Sequence, residues 1–161
     1  MSSEPQLADY RVEPGDARDL DEVITVMQAA FDPSFGEAWT RSQCAGILPM
    51  SGVALYVARS PESDEMIGFS LQRVVADEAE LLLLAIAPPW RGRGIARALL
   101  GQFIEEARGR GAHRLHLEVR DGNPAVRMYR RAGFDLAGRR SKYYHGSGGQ
   151  LFDALTFVRT I

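Results

Sequence analysis

Cysteine is nearly missing from this 161-residue chain: Cys44 stands alone and cannot make an internal disulfide. With no histidine near it in sequence, it reads as a buried structural thiol on a helix, not a nucleophile. Histidine is almost as scarce, and His113, His116 and His145 have no partners at metal-ligand spacing, which predicts no metal site. An excess of one charge is also missing. Nineteen Lys and Arg face 21 Asp and Glu, a formal net charge of −2, so nothing draws the chain globally to nucleic acid. No apolar run approaches membrane-spanning length, which predicts no membrane partner. Met1 to Tyr10 is polar and lacks the apolar centre of a signal peptide, so the expected compartment is the cytoplasm. Repeats, linkers and low-complexity segments are absent too. A composition of 45% hydrophobic and 25% charged residues then predicts one domain, 1–161, with a real core.

What the chain does have is one organising stretch, Leu81 to Arg97. It opens as an apolar run without a polar face, which reads as a strand buried on both sides. Pro88 and Pro89 stop that strand, since proline brings no N–H to a ladder. Arg91-Gly92-Arg93-Gly94 then turns into a helix, and Arg91, Arg93 and Arg97 crowd its beginning. Cations are misplaced there, because unpaired N–H groups and the macrodipole already make the potential positive. An anion held on the loop amides resolves the conflict, and Gly92 and Gly94 let the backbone approach it. A solvated basic turn is the plainer alternative.

Around this stretch the elements follow from periodicity. Asp16 and Asp19 resemble a capped start, and Leu20, Val23, Ile24, Met27 and Phe31 recur at helical spacing, predicting a helix near 17–30. Asp32-Pro33-Ser34-Phe35-Gly36 breaks it. A second helix near 37–48 would bury Trp39, Cys44, Ile47 and Leu48, and the aromatic-rich loop between the two is a candidate groove wall. Val53–Ala58 and Met66–Val75 predict an antiparallel hairpin, followed by a central strand at Glu80–Ala87. Ile95, Leu99, Phe103 and Ala107 mark a helix ended by Gly109 and Gly111. The strand Arg114–Arg120 completes a right-handed βαβ unit with parallel strands. Asn123 can cap, and Pro124 can open, a short helix to Ala132, with Gly133 beyond it. Phe134–Gly138 and Leu151–Arg159 read as closing strands. The order ααβββαβαββ describes an α/β (mixed α+β) chain with a central mixed sheet of about six to seven strands and helices on both faces.

Three phosphate-binding readings compete for the central loop. A Walker-type loop needs a Lys after its glycine, and none follows. A dinucleotide fingerprint needs a small third residue where Arg97 stands, although Glu118 falls near the place of a ribose-binding acid. The third reading fits: Arg91-Gly92-Arg93-Gly94-Ile95-Ala96 matches R/Q-x-x-G-x-G/A, behind an apolar strand carrying Ile86-x-Pro88. Here the chain resembles the GNAT family of acetyl-CoA-dependent N-acetyltransferases, best from Glu80 to Phe134. The resemblance implies a GNAT-like fold and acetyl-CoA as donor. It implies CoA pyrophosphate on the loop of Arg91, Gly92, Arg93, Gly94, Ala96 and Arg97, and pantetheine along the backbone near Leu84 and Ile86.

A second constellation runs from Leu117-Glu118-Val119-Arg120 through Asn123 to Met128-Tyr129 and Gly133-Phe134. Glu118 alternates with Leu115, Leu117 and Val119, so it faces away from the leucines near the carboxyl end of a parallel strand, where ligands bind in open α/β sheets. A solvated or salt-bridged strand glutamate fits the pattern equally well. Acetyl transfer to an amine needs a base for the ammonium proton and an acid for the leaving thiolate. Glu118 suits the first role if burial raises its pKa. Tyr129 suits the second, a phenol being close to a thiol in acidity, though a tyrosine on an amphipathic helix is commonly core. The stretch is similar to the bacterial ribosomal-protein-alanine N-acetyltransferase type, as is Tyr143-Tyr144 followed by Asp153-Ala154-Leu155. That resemblance implies catalytic roles for Glu118 and Tyr129, and contact of Asn123 with the CoA arm. It also implies an acceptor peptide threading between the early helices and the tyrosine loop, delivered from a ribosomal protein N-terminus. Phe31 to Trp39 is only similar to that type's Pro-Trp entry. The basic residues Arg127, Arg130, Arg131, Arg139, Arg140 and Lys142 read as a solvated surface or as an attractor of ribosomal components.

The chain is thus expected to be an acetyl-CoA-dependent N-acetyltransferase acting directly on a primary amine, with no direct nucleic-acid contact. Acetylation of a small amine or of protein lysine is the alternative within the class. A non-catalytic CoA-binding regulatory module is the alternative outside it, and the presence of both Glu118 and Tyr129 argues against that.

Overall fold

The computed structural model describes residues 9–161; most of the polar segment Met1 to Tyr10 lies outside the described residues. In chain order the elements are β1 (Arg11–Gly15), α1 (Leu20–Ala30), α2 (Arg41–Ile47), β2 (Val53–Arg59), β3 (Met66–Val75), β4 (Glu78–Ile86), α3 (Ile95–Gly109), β5 (Arg114–Arg120), α4 (Val126–Arg131), β6 (Asp135–His145) and β7 (Leu151–Thr160). The seven strands form one sheet in the order β1-β2-β3-β4-β5-β7-β6. Only β4 and β5 run parallel, as the βαβ reading requires. Among the described residues no helix is long and apolar enough to cross a membrane.

Helices cover both faces. On one side α1 and α2 bury Val23, Met27 and Cys44 against Leu55, Phe69 and Leu83. On the other, α3 and α4 bury Leu100, Phe103 and Tyr129 against Leu115, Leu117 and Phe157. Each fully buried phenylalanine there contributes about 2 kcal/mol of transfer free energy. The sheet supplies the opening that the helices do not fill. Parallel pairing of β4 with β5 stops at Leu81↔Leu117. Beyond it β4 stays with β3 as far as Ile86, and β5 stays with β7 as far as Arg120. The parting coincides with a bulge, since Leu81 pairs with Gln72 and Leu83 with Leu71, leaving Leu82 as the extra residue that bends the strand.

Several expectations need correction. The order is βααβββαβαββ, because Arg11–Gly15 adds an edge strand against β2. The second helix begins at Arg41, not near 37, since Thr40 and Gln43 close a capping box there. Asn123 caps a turn, its Oδ1 accepting from the Ala125 N–H at 2.8 Å, and regular helix starts only at Val126. The strand expected to stop at Gly138 continues to His145 through an irregularity between Arg140 and Tyr144. There Lys142 takes a positive φ of 54°, and its N–H donates to Asp153 Oδ1 at 3.0 Å. A bulge of this kind turns the following side chains toward a site.

The loop between α1 and α2 is locked to the β6–β7 turn. Gly36 has φ +69°, and a Cβ there would lie 2.1 Å from the His145 carbonyl oxygen. A Cβ at Gly146 would lie 2.0 Å from the carbonyl oxygen of Ser34. The Ser147 N–H donates to the Pro33 carbonyl at 3.0 Å, and the Phe35 and Phe152 rings meet edge to face. Only glycine fits at these two crossings.

Candidate active site

Two cavities meet at the parting of β4 and β5. One, of about 430 Å³, runs beside Leu84, Ile86, Arg91, Ala96, Asn123 and Met128. The other, of about 120 Å³, is bounded by Trp39, Glu80, Leu82, Glu118, Tyr143 and Tyr144. Phe31, Glu37, Leu84, Arg120, Asn123 and Tyr129 line both. The two are therefore ends of one passage through the sheet.

The first end is built for an anion on an extended arm. Among the described residues, the N–H groups from Gly92 to Arg97 meet no acceptor in the chain, as the first turn of a helix dictates. Gly92 and Gly94 sit at φ +78° and +82°, with nothing within 4 Å of an added Cβ. Unpartnered amides on an open, glycine-bearing turn at a helix N-terminus can hold an anion. The Arg91 guanidinium turns back to the Ala30 carbonyl at 2.8 Å, capping the C-terminus of α1. Arg93 lies 4.6 Å over the Trp90 ring. Arg97 is exposed on the first turn of α3. Gly92, Arg93, Gly94 and Arg97 do not line the cavity itself but form the loop and turn at its mouth. The β5-facing backbone of Leu82 to Ile86 lacks a ladder partner, so it is free to pair with an amide-bearing arm.

The second end is ringed by titratable groups. Glu118 faces away from Leu115, Leu117 and Val119, as alternation requires, and lines the smaller cavity. Its Oε1 lies 2.6 Å from the Arg140 Nε. Tyr143, beside Glu118, has its phenol pushed up by burial and by that carboxylate. Burial also pushes Tyr144 up strongly, with Glu118 and Glu37 adding to it. Tyr129 is fully enclosed; burial first, and the Glu37 charge second, raise its phenol well above the ordinary range. That corrects the simple match of phenol to thiol acidity. Tyr129 is therefore held as the protonated phenol at neutral pH.

The sequence reading did not find Glu37 and Arg120. They form an ion pair across the passage, with side-chain exposures of only 10% and 9%. The Arg120 guanidinium lies 3.8 Å over the Phe35 ring, and Asn123 Nδ2 donates to Glu37 Oε1 at 3.4 Å. Glu37 falls at the start of the helix expected near 37–48, where an acidic residue suits the macrodipole. The signal available was the cluster of aromatic residues around it. Arg140 lay in a basic run read chiefly as surface, and Cys44 is buried as expected. Among the described residues no three His, Cys, Asp or Glu side chains converge as metal ligands would.

Comparison with known proteins agrees with this geometry. The model of the acetyltransferase (GNAT) family matches residues 20–134. The [ribosomal protein bS18]-alanine N-acetyltransferase of Haemophilus influenzae is 39% identical over 90 residues, 55% of this chain and 62% of that relative. The chain thus spans about three fifths of the length of the curated relatives it matches. The crystal structure of the Escherichia coli ribosomal-protein-S18-alanine N-acetyltransferase superposes with TM-score 0.83 at 29% identity, covering 94% of each chain. Arabidopsis thaliana NAA60 in complex with acetyl-CoA has TM-score 0.80 at 22% identity over 94% of this chain and 98% of its own, a likeness of fold. With an anion-ready loop, parted strands and a family model spanning both, the chain belongs to the GNAT acetyltransferase family.

Proposed function

We propose that the chain transfers an acetyl group from acetyl-CoA to the N-terminal α-amine of a protein, a ribosomal protein beginning with alanine being the leading acceptor. The passage carries this reading: free amides open one end, acid–base side chains ring the other, and Tyr129 borders both. Acetyl-CoA supplies the activated acyl group. The amides of Gly92 to Arg97 bind its pyrophosphate, with Arg93 and Arg97 as supporting charge. The free edge of β4 at Leu84 and Ile86 pairs with the pantetheine arm, and Asn123 borders it. Glu118 takes a proton from the acceptor ammonium and frees the lone pair that attacks the acetyl carbonyl. Tyr129, kept protonated, gives its proton to the departing sulfur. A peptide acceptor enters between the Phe31–Trp39 segment and the Tyr143–Tyr144 pair. The 38–39% identity to bS18-alanine N-acetyltransferases supports the acceptor class. An acceptor made and assembled with the ribosome puts the reaction in the cytoplasm.

The test is CoA release with peptides beginning Ala, Ser, Gly or Met, set beside free small amines and internal lysine peptides. Fastest turnover is expected on the Ala peptide. Acetylation of small free amines alone would overturn the assignment.

A further inference from the structure

Glu37 has no part in the mechanism above, yet it lines both ends of the passage. Its side chain is nine-tenths enclosed, and its two oxygens differ in their surroundings. Oε1 accepts from the Arg120 guanidinium and, at 3.4 Å, from Asn123 Nδ2. Oε2 accepts no hydrogen bond among the described residues. It is not sealed off either, since the enclosed side-chain atoms left without a partner among those residues are Ser70 Oγ, Gln72 Oε1 and His116 Nδ1. Oε2 therefore opens into the passage with its lone pairs unfilled. A carboxylate oxygen in such surroundings is unfavourable until a donor reaches it.

The neighbours hold that oxygen in place. Arg120 is fixed by the Phe35 ring at 3.8 Å, the Phe152 ring at 5.7 Å and the Asp121 carbonyl at 3.2 Å. Gly36, the residue before Glu37, is locked against the His145 carbonyl. Fastening a loop to a strand does not require this arrangement, because apolar side chains do it without the desolvation cost of a buried pair. A pair with one oxygen left open fits a polar ligand instead. Glu37 and Glu118 line the same cavity of about 120 Å³. The Tyr144 phenol, raised first by burial, is raised further by both of these carboxylates. Glu37 is also the charge that acts, after burial, on Tyr129. It thus stands beside the residue assigned to the leaving sulfur.

We propose that Glu37 binds the ammonium of the acceptor, its Oε2 accepting one N–H while Glu118 accepts another, an inference resting on the α-amine reading above. The three N–H groups of an ammonium allow it to bridge two carboxylates. Removal of one proton by Glu118 leaves a neutral amine still hydrogen-bonded to Glu37, which directs the lone pair at the acetyl carbonyl. Glu37 accepts a hydrogen bond and takes no proton, so the proton count of the transfer is unchanged. Its contribution is to acceptor choice: it favours a group that arrives as a cation.

The test sets a peptide beginning with Ala beside its des-amino analogue, in which a propionyl group replaces that alanine. Binding is measured by calorimetry in the presence of CoA, so that no transfer takes place. The parent should bind the Ala peptide more tightly than the analogue. Glu37→Gln should cut that preference about 10-fold, the loss of one charge-assisted hydrogen bond, while the analogue itself binds within about 2-fold of its affinity for the parent. A purely structural role weakens both peptides alike and leaves the preference intact, and that result overturns the proposal. The double variant Glu37→Gln with Arg120→Met guards against a destabilised fold, because the pair is removed together. Its preference should stay low; a preference restored along with the melting temperature overturns the proposal as well. Failure of the functional reading looks different, since the parent itself would then show no preference for the amine.

Discussion

Replacing Glu37 by Gln tests the reading of the passage most directly. The substitution keeps the shape and an acceptor oxygen but leaves the Arg120 guanidinium without a countercharge. Both side chains are about nine-tenths enclosed, so water cannot step in as it does at a surface pair. Breaking a buried pair by removing one partner costs about 3–5 kcal/mol. Arg120 retains the faces of Phe35 and Phe152 and the carbonyl of Asp121, which places the expected loss at the lower end, about 3 kcal/mol. For a chain of this length that lowers the melting temperature by about 6–12 °C. A double-mutant cycle with Arg120→Met should recover much of the loss, because the pair is then removed together. Thermal melts with and without acetyl-CoA provide the assay, the ligand still stabilising the variant because the amide loop is untouched. A melting temperature within 2 °C of the parent, or loss of stabilisation by the ligand, would refute the reasoning.

The remaining predictions concern the two ends of the passage and the bulge. Glu118→Gln should lower kcat about 10²- to 10⁴-fold in steady-state CoA release while acetyl-CoA binding by calorimetry stays near the parent's; unchanged turnover removes Glu118 as base. Tyr129→Phe should slow transfer by at least about 10-fold, and a null effect returns Tyr129 to the core. Gly94→Val places a β-branched residue at φ +82°, so acetyl-CoA affinity should fall more steeply than kcat, read from KM and kcat separately. Asp153 is held below the ordinary aspartate value by the Lys142 N–H and then by Arg139. A carboxyl depressed in the folded state contributes stability above its unfolded pKa and loses it as pH falls through the folded one. The melting difference between parent and Asp153→Asn should thus be flat near neutrality and close below about pH 4. Peptide turnover of the variant should drop about 10-fold as Tyr143 and Tyr144 lose their alignment.

What was legible in the chain was what repeats or punctuates. Apolar periodicity located α1, α3 and β3 to β5, and the glycine–arginine loop announced an anion before any fold was known. The first strand was missed because Pro14 and Gly15 break its pattern, which an edge strand tolerates. The far half of β6 was missed because Gly138 reads as an end, whereas pairing with β7 continues through the bulge. Among site residues, those on one strand or helix, such as Glu118 and Tyr129, follow from local alternation. Glu37 meets Arg120 across 83 positions, and Arg140 meets Glu118 from another strand. No local pattern encodes meetings of that range; the first depends on where the loop between α1 and α2 crosses the sheet, and the second on β5 and β6 both flanking β7.

The crossings at Gly36 and Gly146 bear on how this molecule diversifies. Each glycine accommodates the other loop's backbone, so the segment before α2 and the β6–β7 turn are one mechanical part cast in two pieces of chain. A side chain at either position would strike the other segment's backbone, so the two segments constrain each other's course. Under the function proposed above, new acceptor ranges would arise by exchange of side chains at Phe31, Trp39, Tyr143 and Tyr144, or by transplanting both segments together. A chimera carrying only one foreign segment is the informative failure, because its partner would have nowhere to sit.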